Sequence, residues 1–157
     1  MGGSFIFVEL ANYNVLVRLH TDGTVDTTFN PGTGSGYGTY NPLTGLVDSI
    51  FAITLQPDGN ILIGGDFTTY NQTRRVGIAR MFSYGSLDTS FMDTAYNQFA
   101  GLINHYHNPD AVNLADCPQG NHRNFVWAIA VEPTGSNNVI IGGNFLRAGG
   151  GSVNHSG

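Results

Sequence analysis

The chain has 157 residues, enough for one domain with a small core. Charged residues make up 11% of it, against roughly 25% in an average soluble domain, and glycine (22 residues) with asparagine, threonine and serine supplies the polarity instead. A formal charge of -5, six scattered arginines and no lysine give no basis for gripping a phosphate backbone, so no nucleic-acid partner is expected.

Cys117 is the sole cysteine, which excludes an internal disulfide and a thiolate-only metal site. The longest apolar run, Phe125 to Val131, is too short to span a bilayer as a helix, so no membrane insertion is expected. Residues 2 to 5 read Gly-Gly-Ser-Phe, the ending of a strand pattern that recurs later, so the sequence opens in mid-repeat. A β-prone run over 15–20, an Asp22-Gly23 turn and a short run over 24–29 predict a hairpin. Residues 30–45 have the Gly, Pro, Thr, Tyr and Asn content of a loop.

Phe51-Ala-Ile-Thr-Leu-Gln-Pro-Asp-Gly-Asn-Ile-Leu-Ile-Gly-Gly-Asp-Phe67 predicts two strands joined by a glycine turn and closed by a Gly-Gly pair. A run over 76–82, a Tyr84-Gly85 turn and a run over 86–91 follow. Arg18 and Arg80, Gly23 and Gly85, Asp26 and Asp88, and Phe29 and Phe91 are each 62 positions apart. Phe51 and Trp127, and Pro57 and Pro133, are each 76 apart, which places an insertion between the second and third copies. A fixed period of this kind marks a repeat architecture. The expected fold is all-β, with antiparallel four-stranded repeat units forming β-propeller-like blades that are incomplete at both ends. The units fall at about 1–46, 47–123 and 124–147, with a loop insertion over 92–123 and a Gly-rich tail over 148–157.

Strict alternation puts Phe51, Ile53 and Leu55 on one strand face and Ile50, Ala52 and Thr54 on the other. Both faces are apolar, as in a strand sandwiched between stacked layers; a β-sandwich core is the rival explanation. The Gln-Pro-Asp-Gly-Asn-Ile-Leu-Ile-Gly-Gly-Asp-Phe, Ile-Ala-Arg and Gly-Ser-Leu-Asp-Thr-Ser-Phe segments resemble the delta-60 repeat, a β-propeller-type repeat of bacterial secreted or surface proteins and of some phage tail-associated proteins. That resemblance implies propeller blades and carries no general catalytic residues. The sequence departs from the pattern at Tyr84, where the first copy has Asp22, and at Thr134, where the second has Asp58.

Several positions invite chemistry. His105, His107, Cys117 and His122 in the insertion are weak metal-ligand candidates whose spacing fits no established zinc motif, and a polar surface loop with incidental histidines is the stronger reading. No cofactor is expected. Gly-Gly-Asp-Phe67 sounds like a cyclase signature, but the copies carry Ser4 and Asn144 in the Asp66 place, so Gly64, Gly65, Phe67, Gly142, Gly143 and Phe145 read as structural. Arg18 with Asp26 and Arg80 with Asp88 read as structural pairs for the same reason of register.

The expected function is a non-catalytic structural or interaction module of an extracellular, cell-surface or virion assembly, with blades completed by self-association or by another chain. Partners would be other copies or another structural protein, with glycan as a further possibility. Tyr37, Tyr40, Tyr96, Phe99 and Tyr106 would supply contact area, or else pack their loops against the blades. The alternative is a carbohydrate-binding or metal-dependent enzyme module built on 92–123, where Asp110 and Asp116 are the available carboxylates.

Overall fold

The computed structural model describes residues 15–35, 48–93, 101–103, 124–133, 137–145 and 147–149, together with 2, 7–8 and 11–12. Among these residues the strands are β1 Phe7–Val8, β2 Ala11–Asn12, β3 Ser49–Leu55, β4 Ile61–Asp66, β5 Thr69–Tyr70, β6 Thr73–Arg74, β7 Ile78–Met81, β8 Leu102–Ile103, β9 Phe125–Val131, β10 Val139–Asn144 and β11 Arg147–Ala148. Among the described residues all ladders between strands are antiparallel, the sheets hold two or three strands each, and there is neither a helix nor a closed barrel. The architecture is that of partial β-propeller blades.

The middle unit is the most complete. β3 pairs with β4, and β4 with β7, in the order β3-β4-β7. The fourth run of the unit joins through a single bridge between Met81 and Leu87, and the first unit repeats that bridge as Leu19 with Val25. The fourth element is so short because Asp88 turns the chain directly after it: its carboxylate accepts from the Ser90 amide at 2.9 Å and from the Ser90 hydroxyl at 2.6 Å. The 62-residue period also covers a feature that the sequence leaves as a link. The two-residue hairpin β1–β2 recurs as β5–β6, with Phe7 and Thr69 at matching positions.

Two apolar clusters lie on either face of the central sheet. Val15, Leu16, Phe29, Ile50, Ile61, Ile63, Phe67, Tyr70, Ala79 and Met81 fill the space between the first unit and the second. Val76, Ile78, Leu102 and Val126 fill the space between the second and the third, with Ile129, Ile141 and Phe145 packed around them. Each core therefore belongs to a pair of units. No unit buries its apolar surface alone, which is the energetic logic of a repeat array.

Strict alternation along β3 does not hold. Ile50 pairs with Gly65 while Ala52 pairs with Gly64, so Phe51 is an extra residue, a β-bulge. Cross-strand partners share a face and Gly64 and Gly65 point oppositely, so Ile50 joins Ile53 and Leu55, and Ala52 and Thr54 face the other way. The third unit repeats the bulge, with Val126 opposite Gly143 and Ala128 opposite Gly142, leaving Trp127 as the extra residue. Phe51 and Trp127, both exposed, stack with centroids 4.5 Å apart.

Candidate interaction surface

The Gly-Gly pairs divide their work. A Cβ on Gly65 would overlap the Ser49 carbonyl oxygen and stand 2.9 Å from the Ile50 Cα, and one on Gly143 would do the same to Phe125 and Val126. The second glycine thus lets the bulged strand approach its own partner. The first glycine faces the next unit. A Cβ on Gly64 would stand 2.7 Å from Val126 Cγ1 and 2.9 Å from Ile129 Cδ1, and one on Gly2 would stand 2.9 Å from Ile50 Cγ2 and 2.6 Å from Ile53 Cδ1. Ile50 and Ile53 hold the positions of Val126 and Ile129, so one unit-to-unit contact occurs twice. The Thr54 hydroxyl adds a bond to the Ile129 carbonyl at 2.9 Å.

At the third unit the pattern is uncovered. Gly142, which follows Gly2 and Gly64 in this series, has nothing within 4 Å of its Cβ position among the described residues. Ile140 is 60% exposed where its counterpart Leu62 is 0% exposed. Ala128 and Ala130 are exposed as well. On the facing side of the second unit, Ile53 and Leu55 are exposed, Leu55 at 69%, whereas Ile129 and Val131 in the third unit are half-buried under the second.

The arginine–aspartate pairs form a clamp built twice. Arg18 Nε donates to Asp26 Oδ2 at 2.7 Å, and Arg80 Nε to Asp88 Oδ2 at 2.7 Å. Each guanidinium carbon lies 4.8 Å from the centroid of a following ring, Phe29 in one unit and Phe91 in the other. The Thr28 hydroxyl and then the Thr28 amide, with burial opposing and Arg18 adding, hold the Asp26 carboxyl down to about 2. At Asp88 burial opposes ionisation, but the Ser90 hydroxyl, the Arg80 guanidinium and the Ser90 amide outweigh it, so that carboxyl is also lowered. Arg18 Nη1 further donates to the Ser83 carbonyl at 2.7 Å, which ties the first clamp to the turn of the next unit.

The replacement of Asp22 by Tyr84 leaves the turn intact. In the first unit the Thr24 amide donates to the Asp22 carboxylate at 2.9 Å. Tyr84 gives up that bond and instead stacks on Phe82 at 5.5 Å, while its carbonyl accepts from the Asn30 amide at 3.0 Å. Gly23 (φ 91°) and Gly85 (φ 105°) set the same left-handed corner in both. Thr134, the other departure from the repeat, lies outside the described residues.

Phe67 lies in the first core, edge-on to Tyr70 at 6.4 Å, and Phe145 packs against the second. Asp66 ends β4 opposite Ser49. The aromatic candidates Tyr37, Tyr40, Tyr96, Phe99 and Tyr106 and the ligand candidates His105, His107, Cys117 and His122 lie outside the described residues, as do Asp110 and Asp116. Among the described residues no group of three or more His, Cys, Asp or Glu is placed to hold a metal ion.

Sequence reasoning misses two contributions. Leu102, in the expected loop insertion, is buried between units, and β8 pairs with β11, whose Ala148 falls in the expected Gly-rich tail. A ladder of two residue pairs is too short to show periodicity. Arg75 is buried and donates to the Thr89 carbonyl at 2.9 Å and the Arg74 carbonyl at 2.7 Å, pinning the linker before β7 to the end of the unit. An arginine next to a second one, Arg74, gives no sequence sign of burial.

Comparison with known families gives one match. The model of a family described as a domain of unknown function (DUF5122) beta-propeller matches residues 2–29 and 56–91. Both matched stretches end on the clamp phenylalanine, Phe29 and Phe91, and together they cover less than half of the chain. No curated protein and no solved structure matches the chain.

Proposed function

We propose that this protein is a non-catalytic structural or interaction module, with blades completed by self-association or by another chain in an extracellular, cell-surface or virion assembly. The observation that carries the reading is the glycine series: Gly2 and Gly64 each seat a neighbouring strand, and Gly142 presents the same surface uncovered. A blade face that is apolar, flat and free of side chain at its centre is suited to another blade. The Asp66 position, occupied by Ser4 and Asn144 in the other units, supports a structural role for the Gly-Gly-Asp-Phe segment. The resemblance to delta-60 repeats supports the extracellular or virion setting.

Sedimentation velocity of the full chain over a concentration series tests the proposal together with amide hydrogen exchange. Association that rises with concentration, accompanied by new protection in β10, is expected. A monodisperse monomer with β10 amides already protected would overturn it.

A further inference from the structure

The turn that ends the third run of each unit keeps its frame and changes what it shows to solvent. Arg18, Gly23, Asp26 and Phe29 recur as Arg80, Gly85, Asp88 and Phe91, and the hydroxyls of Thr21 and Thr24 recur at Ser83 and Ser86. His20 and Asp22, in contrast, become Phe82 and Tyr84. The change removes the carboxylate that accepts from the Thr24 amide at 2.9 Å and from its hydroxyl at 2.7 Å. What it supplies is a pair of rings lying 10° from parallel, with Tyr84 still 57% exposed.

That exposure is not an end effect. Tyr84 has the first unit before it, in contact through its own carbonyl and the Asn30 amide. Asp22, at the same position, has the second unit after it, with Arg18 Nη1 holding the Ser83 carbonyl at 2.7 Å, and is exposed all the same. The position therefore stays open to solvent with a neighbouring unit on either side.

We propose that Phe82 and Tyr84 are a stacking platform for one ring of a neutral, β-linked gluco-configured saccharide. Phe82 covers one face of the Tyr84 ring, and the exposed remainder offers the other. A pyranose ring with every hydroxyl equatorial presents bare C–H groups to such a face, whose negative quadrupole attracts them, and keeps its hydroxyls at the rim. The rim here is polar: Ser83 is exposed, and a Cβ on Gly59 would lie 3.8 Å from Ser83 Cβ, which brings the turn carrying exposed Asp58 alongside. A carboxylate accepts strongly from hydroxyls and repels anions. Two rings are too small a patch for a protein partner, which needs about 800 Å² on each side. A chain of charge -5 without lysine gives no purchase to a nucleic acid, whose bases could also stack. The platform is set before binding, because the Asn30 and Arg18 bonds and the seat of Gly85 against Asn30 fix its turn, so little freedom is lost on contact.

The test titrates the full chain with cellotetraose and follows the ring-proton resonances of Phe82 and Tyr84 by nuclear magnetic resonance. Saturable shifts with a dissociation constant on the order of 1 mM are expected for one stacked ring with a few rim bonds. Tyr84→Asp restores the residue of the first unit: it should weaken binding roughly tenfold or more while leaving the melting temperature unchanged or raised, since the new carboxylate can accept from Ser86. Tyr84→Phe keeps the plane and should bind within about threefold of the wild type. Absence of saturable shifts up to about 20 mM sugar, or shifts that persist in Tyr84→Asp, would overturn the proposal. Undiminished binding by Tyr84→Leu, which keeps apolar bulk without a plane, would overturn it too. The platform lies apart from the Gly142 face, so these outcomes leave the module reading as it stands.

Discussion

Asp26 concentrates the electrostatics of the first unit in a few atoms. Its Oδ2 accepts from Arg18, its Oδ1 accepts the amide and hydroxyl of Thr28, and His20 Nε2 lies 4.0 Å from Oδ1. A carboxyl held near 2 when folded and near its ordinary value of about 3.9 when unfolded binds protons more readily in the unfolded chain. Its contribution to stability is therefore whole above about pH 4 and is lost as pH falls toward 2. Asp88, lowered in the same direction, adds to the same acid limb. Thermal melts between pH 5 and pH 2 are expected to show a steep fall in melting temperature. Asp26→Asn should start lower at pH 5 and fall less steeply, because it removes one of the groups that must be protonated. An unchanged slope would mean that the clamp does not set the acid limb.

The turns carry the repeat at the scale of the element. The 56–60, 82–86 and 20–24 turns close with the same pair of backbone bonds, and each has a left-handed glycine: Gly59, Gly85 and Gly23. Their surroundings differ. A Cβ on Gly23 meets open space, while one on Gly85 would stand 2.7 to 2.9 Å from the Asn30 backbone of the preceding unit. Gly23→Ala is expected to cost about 1–2 kcal/mol, the strain of the left-handed conformation alone. Gly85→Ala should cost about 1–3 kcal/mol more, because the Asn30 backbone cannot rotate away as a side chain can. Urea midpoints at constant m-value would rank the two, and equal losses would show that the units are not seated through this turn.

The same elements show where sequence reasoning reaches. The 62-residue offset places the turns, the clamps and the strand order without any coordinates, since each is fixed by chemistry local to one unit. The faces of β3 escape it because a bulge shifts the period by one residue, and a period-2 count runs straight through Phe51. Signals for the bulge were present in Gly65 and Gly143, whose bare backbones admit the extra residue, but a Gly-Gly pair does not say which glycine serves its own strand and which serves the neighbour. Val15 is a harder case. It adopts φ 72° where its counterpart Gly77 adopts φ 71°, so the conformation is imposed by the repeat on a residue that disfavours it. The sequence marks the third unit as incomplete and Gly142 as structural, but that Gly142 stands uncovered among the described residues needs the observed burial.

For the whole molecule, the central sheet is the member that both cores share. Ile63 packs into the cluster against the first unit, and its own strand β4 carries Leu62 and Gly64 on the opposite face toward the third. Cutting Ile63 back to alanine leaves a cavity in one core and is expected to cost about 2–5 kcal/mol. If the units behaved as independent beads, that loss would be confined to the first and second. Nearest-neighbour coupling through β4 predicts otherwise, because among the described residues the third unit's buried core is the one it makes with the second. Trp127 reports on that third unit, stacked on Phe51 and edge-on to Phe125 at 4.9 Å. Ile63→Ala should therefore lower the urea midpoint seen by Trp127 fluorescence by the same amount as the midpoint seen by far-ultraviolet circular dichroism. Coincident curves are the signature of one cooperative transition across the array. A Trp127 midpoint that stays at the wild-type value while the dichroism transition moves would show that the third unit holds to the second through Phe51 and Thr54 alone, independent of the core on the far side of β4.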